Sequence, residues 1–226
     1  MTTPESAAVH GPGHGIAYQI ERFALLGVWA LTIIGFGIVR PESFMTWGNF
    51  AVMFASQAPA VLLALALIIP LTAGDYDLSV GATVTLSSMA IGVLNVWQGW
   101  PIGWVLVVAL AAGALVGAIN AFFIVYFRIP SLVVTLGTAS LVSGIVMWLS
   151  NSSTISGISE RLVDVVIGGQ FLGISYAFYY ALVAAIVLWY VLEYTPAGRR
   201  LLFVGRGREV ARLNGINVGR ARTAAL

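Results

Sequence analysis

Ile102-Gly-Trp-Val-Leu-Val-Val-Ala-Leu-Ala-Ala-Gly-Ala-Leu-Val-Gly-Ala-Ile-Asn-Ala-Phe-Phe-Ile-Val-Tyr-Phe127 contains no charged side chain and a single amide, Asn120. A helix rises 1.5 Å per residue and needs about 20 apolar residues to cross about 30 Å of hydrocarbon. This stretch is long enough to span a bilayer. Outward from it, residues 23–39, 50–73, 80–96, 132–149 and 176–192 have the same character. The 226 residues are 59% hydrophobic and 9% charged, and the mean hydropathy is +0.94. A water-soluble domain does not carry such a composition. The expected fold is all-α, a polytopic integral membrane helix bundle with about six transmembrane segments. Residues 1–22 read as a cytoplasmic tail, 23–192 as the transmembrane domain and 193–226 as a cytoplasmic segment. Residues 150–175 form a polar loop that has room for a short helix.

The eleven basic residues are all arginine, and seven of them fall in residues 199–222, directly behind the last apolar block. With a cytoplasmic amino terminus and six crossings, Arg22, Arg128 and the seven tail arginines lie inside, while Arg40 and Arg161 lie outside. That distribution obeys the positive-inside bias; Asp75 and Asp77 would also lie inside, but acids contribute little to orientation. The net charge is +2. No stretch interleaves arginine with aromatics, so membrane orientation explains the charge better than nucleic acid does. Cysteine is absent, which excludes disulfides and thiol chemistry. His10 and His14 sit in a turn-rich tail with Gly11, Pro12 and Gly13, read as disordered and not as a metal site. No metal or cofactor is expected. The first apolar run has no cleavage site close behind it and reads as a retained anchor.

Several positions inside the spans bear on function. Gln57, Pro59 and Pro70 interrupt residues 50–73. They imply either a broken helix lining a pathway or a kink packed on its neighbours. Gly113 and Gly117, four apart, form a small-residue strip for close helix packing. Asn120 bonds a neighbouring helix or faces a polar conduit. Thr135 and Thr138 are read similarly, although hydroxyls also return bonds to their own backbone. In Ala73-Gly-Asp-Tyr-Asp-Leu-Ser-Val-Gly81, Ser79 or Asp77 is placed to cap the following helix. A carboxylate at the bilayer centre would cost roughly 2.5 to 3.5 kcal/mol, which puts Asp75 and Asp77 near the interface or in a hydrated recess.

Gly74-Asp-Tyr-Asp-Leu-Ser-Val-Gly81, the run from Asn120 to Thr138, Ile155-Ser-Gly157, Gly198-Arg199 and Glu209-Val-Ala-Arg-Leu-Asn-Gly-Ile-Asn217 come in the order seen in the ribose-type sugar permeases. These are membrane subunits of bacterial ABC importers, within the branched-chain amino acid and ribose permease superfamily. The chain resembles them from about residue 50 to its end. Members continue through several further membrane helices, so the resemblance implies a truncated product or a fragment of a longer permease. It also implies the bacterial inner membrane, a cytoplasmic ABC ATPase, an extracytoplasmic sugar-binding protein and a second permease subunit in a homodimer. The cargo would be a monosaccharide or related polyol moved by alternating access, without enzymatic chemistry. Gln57, Asp75, Asp77, Ser79, Asn120, Thr135 and Thr138 would line its route.

Glu209-Val-Ala-Arg-Leu-Asn-Gly215 resembles the E-A-A-x-x-x-G signature of importer membrane subunits, with Val210 at its central alanine. Such a segment is a short coupling helix seated on the ATPase. Gly198, Arg199, Arg206, Glu209, Ala211, Arg212 and Gly215 would carry the coupling. Val210 and Leu213, three apart, present one apolar face among arginines, and Gly215 is placed to end the helix. The alternative is a basic segment resting on anionic lipid. No lysine exists for a Walker-type phosphate loop, so energy must come from a partner. Among rivals, a branched-chain amino acid permease would need groups for a carboxylate and an ammonium. An ion-driven transporter or channel would need ionisable residues within the spans. An intramembrane enzyme would need a nucleophile and a base there.

Overall fold

The computed structural model describes the backbone from Ile16 to Leu226 and the side chains from Phe23 onward. His10 and His14, with the reading attached to them, lie outside the described residues. The chain divides into two compact units after Phe50. The first holds α1 (Ile16–Val39), the single turn α2 (Pro41–Phe44) and the start of α3 (Trp47–Thr72). There Phe36 stacks on Phe44 with ring centroids 5.7 Å apart, and the Asn49 amide donates to the Phe44 carbonyl. The first helix starts at Ile16, ahead of the expected boundary at residue 23.

The second unit contains the rest of α3, then α4 (Val80–Gly92), α5 (Ile102–Ala121) and α6 (Ser131–Leu149). A π-helical turn extends α4 through Val93–Trp97 and another extends α5 through Phe122–Tyr126. A short α7 (Glu160–Val163) and the hairpin β1 (Gln170–Phe171) and β2 (Ile174–Ser175) occupy the polar loop. Then come α8 (Tyr176–Tyr194), α9 (Pro196–Arg206), α10 (Arg208–Leu213) and α11 (Val218–Thr223). Among the described residues, five helices are long and apolar enough to cross a membrane, and α1 carries the shorter apolar stretch Phe23–Val39.

Of the two readings of the prolines, the broken helix is overturned. α3 is a continuous helix with Pro59 and Pro70 inside it, not a broken one. A proline sacrifices one hydrogen bond and strains the preceding turn, about 3 kcal/mol in water. Breaking the helix would present several backbone groups to hydrocarbon, which is costlier.

Burial follows the logic of a lipid solvent. Large apolar side chains such as Leu110, Leu141, Trp148 and Val183 point outward, while Asp75, Ser79, Asn120 and Thr135 are buried. Without a hydrophobic drive between helices, close packing and interhelical hydrogen bonds hold the bundle. The apolar centre is Val116, Val142 and Val146, with Ala82, Leu86 and Met89 against them, where α4, α5 and α6 meet. The 150–175 loop folds over the far end of this trio. Asn95 accepts from the Ser159 backbone N–H at 2.9 Å, and Ile155 covers Gly92. The opposite end, where α3 meets α4 and α5 meets α6, gathers the tail.

Candidate functional site

The site begins at the carboxyl end of α3. Gly74 adopts φ +76°; the Gly74 N–H donates to Leu71 O and the Asp75 N–H to Pro70 O, each at 3.0 Å. This is a Schellman stop, in which a left-handed glycine lets the last carbonyls find donors. It aims the Asp75 carboxylate back into the bundle, where it is 2% exposed. Arg222 grips it with two bonds, Nε to Oδ2 and Nη2 to Oδ1, both 2.7 Å. Arg208 Nη2 adds a bond of 3.0 Å to Oδ1 and one of 2.9 Å to the Gly74 carbonyl. Both lone-pair faces of a buried carboxylate are thereby satisfied by charge-assisted donors.

Two residues on, a second polar chain crosses to α5. Asn120 Nδ2 donates to Ser79 Oγ at 2.8 Å, and Ser79 Oγ donates to Asp77 Oδ1 at 2.6 Å. The Ser79 N–H also donates to Asp77 Oδ1. Of the two capping candidates, Asp77 thus accepts an N–H at the helix start and Ser79 does not. Ser79 occupies the N-cap position of α4 without a side-chain cap bond, because its hydroxyl is already committed to Asp77 and Asn120. α6 is joined through Tyr76: its N–H donates to Ser131 Oγ at 3.0 Å, and Thr135 Oγ1 donates to its carbonyl at 3.2 Å. Asn120 Oδ1 is buried without a hydrogen-bond partner among the described residues.

The tail folds into three short helices instead of one. Thr195 caps α9, its hydroxyl accepting the Gly198 N–H at 3.3 Å, with Pro196 in the first turn. Gly198 lies so close to Val191 and Leu192 that a Cβ would overlap their backbone. Gly205 lies equally close to the Thr72 carbonyl and faces Gly74. In α10, Ala211 points inward and is fully buried, while Val210 and Leu213 point outward, 56% and 77% exposed. Glu209 and Arg212 pair on the same outer surface at 2.6 Å. The Gly215 N–H donates to Arg212 O and the Ile216 N–H to Ala211 O, each at 3.0 Å. Gly215, at φ +78°, therefore ends α10 as expected. Asn217 then caps α11 by accepting the Arg220 N–H at 3.0 Å.

Residues 49–226 match the family described as branched-chain amino acid transport system, permease component. The chain belongs to this permease family. It is 33% identical over 210 residues to the autoinducer 2 import system permease protein LsrC of Enterobacter sp. (strain 638), covering 91% of this chain and 59% of the relative. It is 25% identical over 198 residues to the D-allose transport system permease protein AlsC of Escherichia coli (strain K12), covering 88% and 60%. The autoinducer 2 import system permease protein LsrD of Salmonella typhimurium (strain LT2) is 29% identical over 223 residues, with 92% and 63% covered. The chain thus spans about three-fifths of the length of these relatives. No solved structure matches it. The spans and the family together make it a multi-pass protein of the bacterial inner membrane.

Within this permease, Asp77, Ser79 and Asn120 form one buried hydrogen-bonded chain, while Asp75 is held by the tail arginines and Thr135 bonds the Tyr76 and Ser131 carbonyls. Gln57 joins none of these: it lies in an apolar crevice of about 210 Å³ with Phe54, Val61 and Phe178. Thr138, half-buried on α6, lies one turn beyond Thr135. Gly113 faces Thr83 of α4, and Gly117 meets the Leu226 carbonyl, so the small-residue strip packs within the chain. Arg199 and Arg206 are exposed. Sequence reasoning missed Ser131, and it treated Arg208 and Arg222 as undifferentiated tail charge. The available signal was Asp75 itself, an acid next to apolar blocks that required a cationic partner.

Proposed function

We propose that this chain is the membrane-spanning subunit of an ATP-driven importer of a neutral, hydroxyl-rich solute, a monosaccharide or related polyol. The observation that carries the reading is the two-sided construction of the tail. Its inner side is anchored to the α3–α4 turn through Asp75, and its outer side offers Val210 and Leu213 flanked by the Glu209–Arg212 pair. A helix of this kind seats an apolar pair in a partner's groove. A cytoplasmic ATPase subunit moving α10 would transmit its displacement through Arg208 and Arg222 to the turn between α3 and α4. An extracytoplasmic binding protein and a second permease subunit complete the assembly.

The solute's route passes the buried polar positions Ser79, Asn120 and Thr135. Asn120 Oδ1 is an acceptor without a donor among the described residues, and a sugar hydroxyl supplies one when alternation opens the recess. Thr138 extends that surface, Asp77 holds Ser79 in place, and Gln57 has no observed link to it. Asp75 serves coupling and not the solute, because its oxygens are held by two arginines. The named relatives import autoinducer 2 and D-allose, which favours a polyol-like cargo over a branched-chain amino acid. The absence of charge from residues 102–127 and 131–149 points the same way. In reconstituted vesicles with the ATPase subunit, Glu209→Lys should abolish ATP-dependent uptake while ATP hydrolysis and insertion persist. Uptake that continues without any ATPase would refute the reading.

A further inference from the structure

A cavity of about 950 Å³ opens beside the Asp75 clamp, lined by residues that include Arg128, Arg208, Arg222, Asp75 and Ser131. Three guanidinium groups face one carboxylate there, so the lining carries excess positive charge. Arg222 uses Nε and Nη2 on Asp75, and Arg208 uses only Nη2. Their remaining nitrogens have no acceptor among the described residues. Arg128 forms no ion pair among them either, and it holds an uncommon φ of +58° at the end of α5's π-helical turn. Guanidinium forks of this kind match the oxygen geometry of a phosphate.

The chain immediately before Arg128 indicates where that phosphate comes from. Phe122, Phe123, Tyr126 and Phe127 are 52%, 40%, 73% and 54% exposed, and they stack on one another, Phe122 on Tyr126 at 5.5 Å and Phe123 on Phe127 at 5.7 Å. Tyr126, the most exposed ring of this wall, is of the amphipathic kind that gathers at the membrane–water boundary. A lipid lying against that wall would bring its headgroup to Arg128. Basic pockets between transmembrane helices are suited to anionic headgroups.

We propose that this cavity binds a phosphate group, and specifically the phosphodiester of an anionic phospholipid. The inference rests on the chain spanning a bilayer and not on which motor drives it. The test compares retention of phosphatidylglycerol and phosphatidylcholine by the purified chain, using native mass spectrometry after release from mixed nanodiscs. Phosphatidylglycerol should be retained in preference. Arg128→Gln should weaken that preference about fivefold, the worth of one arginine near the surface. Arg128→Lys should preserve most of it, which separates lost charge from lost folding. Arg161→Gln, at the opposite end of the helices, should leave it unchanged. Equal retention of the two lipids, or an Arg128→Gln variant that behaves as the parent, overturns the proposal. Displacement of the lipid by inorganic phosphate at matched ionic strength would assign the cavity to free phosphate and overturn the lipid source. Loss of ATPase-subunit binding in Arg128→Gln with lipid retention intact would assign it to an acidic protein surface instead.

Discussion

Asp75 and Arg222, 147 positions apart, meet side-on through two hydrogen bonds of 2.7 Å each. The contact joins the turn between two membrane helices to the last short helix of the basic tail. Asp75 is 2% exposed and the Arg222 side chain 11%, whereas the second partner, Arg208, is 46% exposed. Breaking a buried pair strands the surviving charge, at about 3 to 5 kcal/mol, while a half-exposed pair contributes about 0 to 1 kcal/mol. Arg222→Gln should therefore destabilise the tail far more than Arg208→Gln, read as protease sensitivity of residues 196–226 in detergent. Equal sensitivity would mean the clamp is not organised around Arg222.

Gly205 tests the same junction sterically. A Cβ there overlaps the backbone carbonyl of Thr72, and backbone has little room to yield. Gly205→Ala should cost about 1 to 3 kcal/mol, as overpacking does. Gly215→Ala meets open space but a φ of +78°, so its cost should be the smaller one of a strained left-handed alanine, about 1 kcal/mol. Thermal unfolding of the two variants should rank them in that order.

Asn120→Leu removes the donor to Ser79 and the orphan acceptor together. Uptake should fall more than tenfold while membrane-inserted protein stays within about twofold of the parent, since Ser79 Oγ keeps its bond to Asp77 and the net worth of the one bond lost is only about 1 kcal/mol. Equal loss of uptake and protein would assign Asn120 to packing alone. Ser79→Ala, which leaves Asp77 and Asn120 each short of a partner, should be the more destabilising of the two.

Cysteine accessibility tests the topology in a chain that has no native cysteine. Leu213→Cys and Ser153→Cys, both on exposed positions, should react with an impermeant maleimide from opposite faces of the membrane. Reaction from one face would overturn the arrangement of spans between them.

The membrane class was legible because a span is a one-dimensional signal. Twenty apolar residues in a row have few alternatives to a lipid-embedded helix, and the expected segments fall within a few residues of the helices found. Gly215 and the outward pair Val210 and Leu213 were legible for a similar reason, since both depend only on spacing within one short helix. The broken-helix reading of the prolines failed at α3. Whether a helix breaks at Pro59 depends on what surrounds the freed carbonyl, which the segment itself does not record.

The amino-acid order alone determined the bilayer as solvent, the number of apolar segments and the gathering of arginine at one end, since each follows from local composition and hydrophobic length. Only the tertiary structure decided which arginines matter and what the two acids do. Asp75 and Asp77 are two residues apart, yet one is bound to the tail and the other to Ser79 and, through it, Asn120. A buried carboxylate takes whichever donors the packed helices bring within reach, and those donors lie far away along the chain.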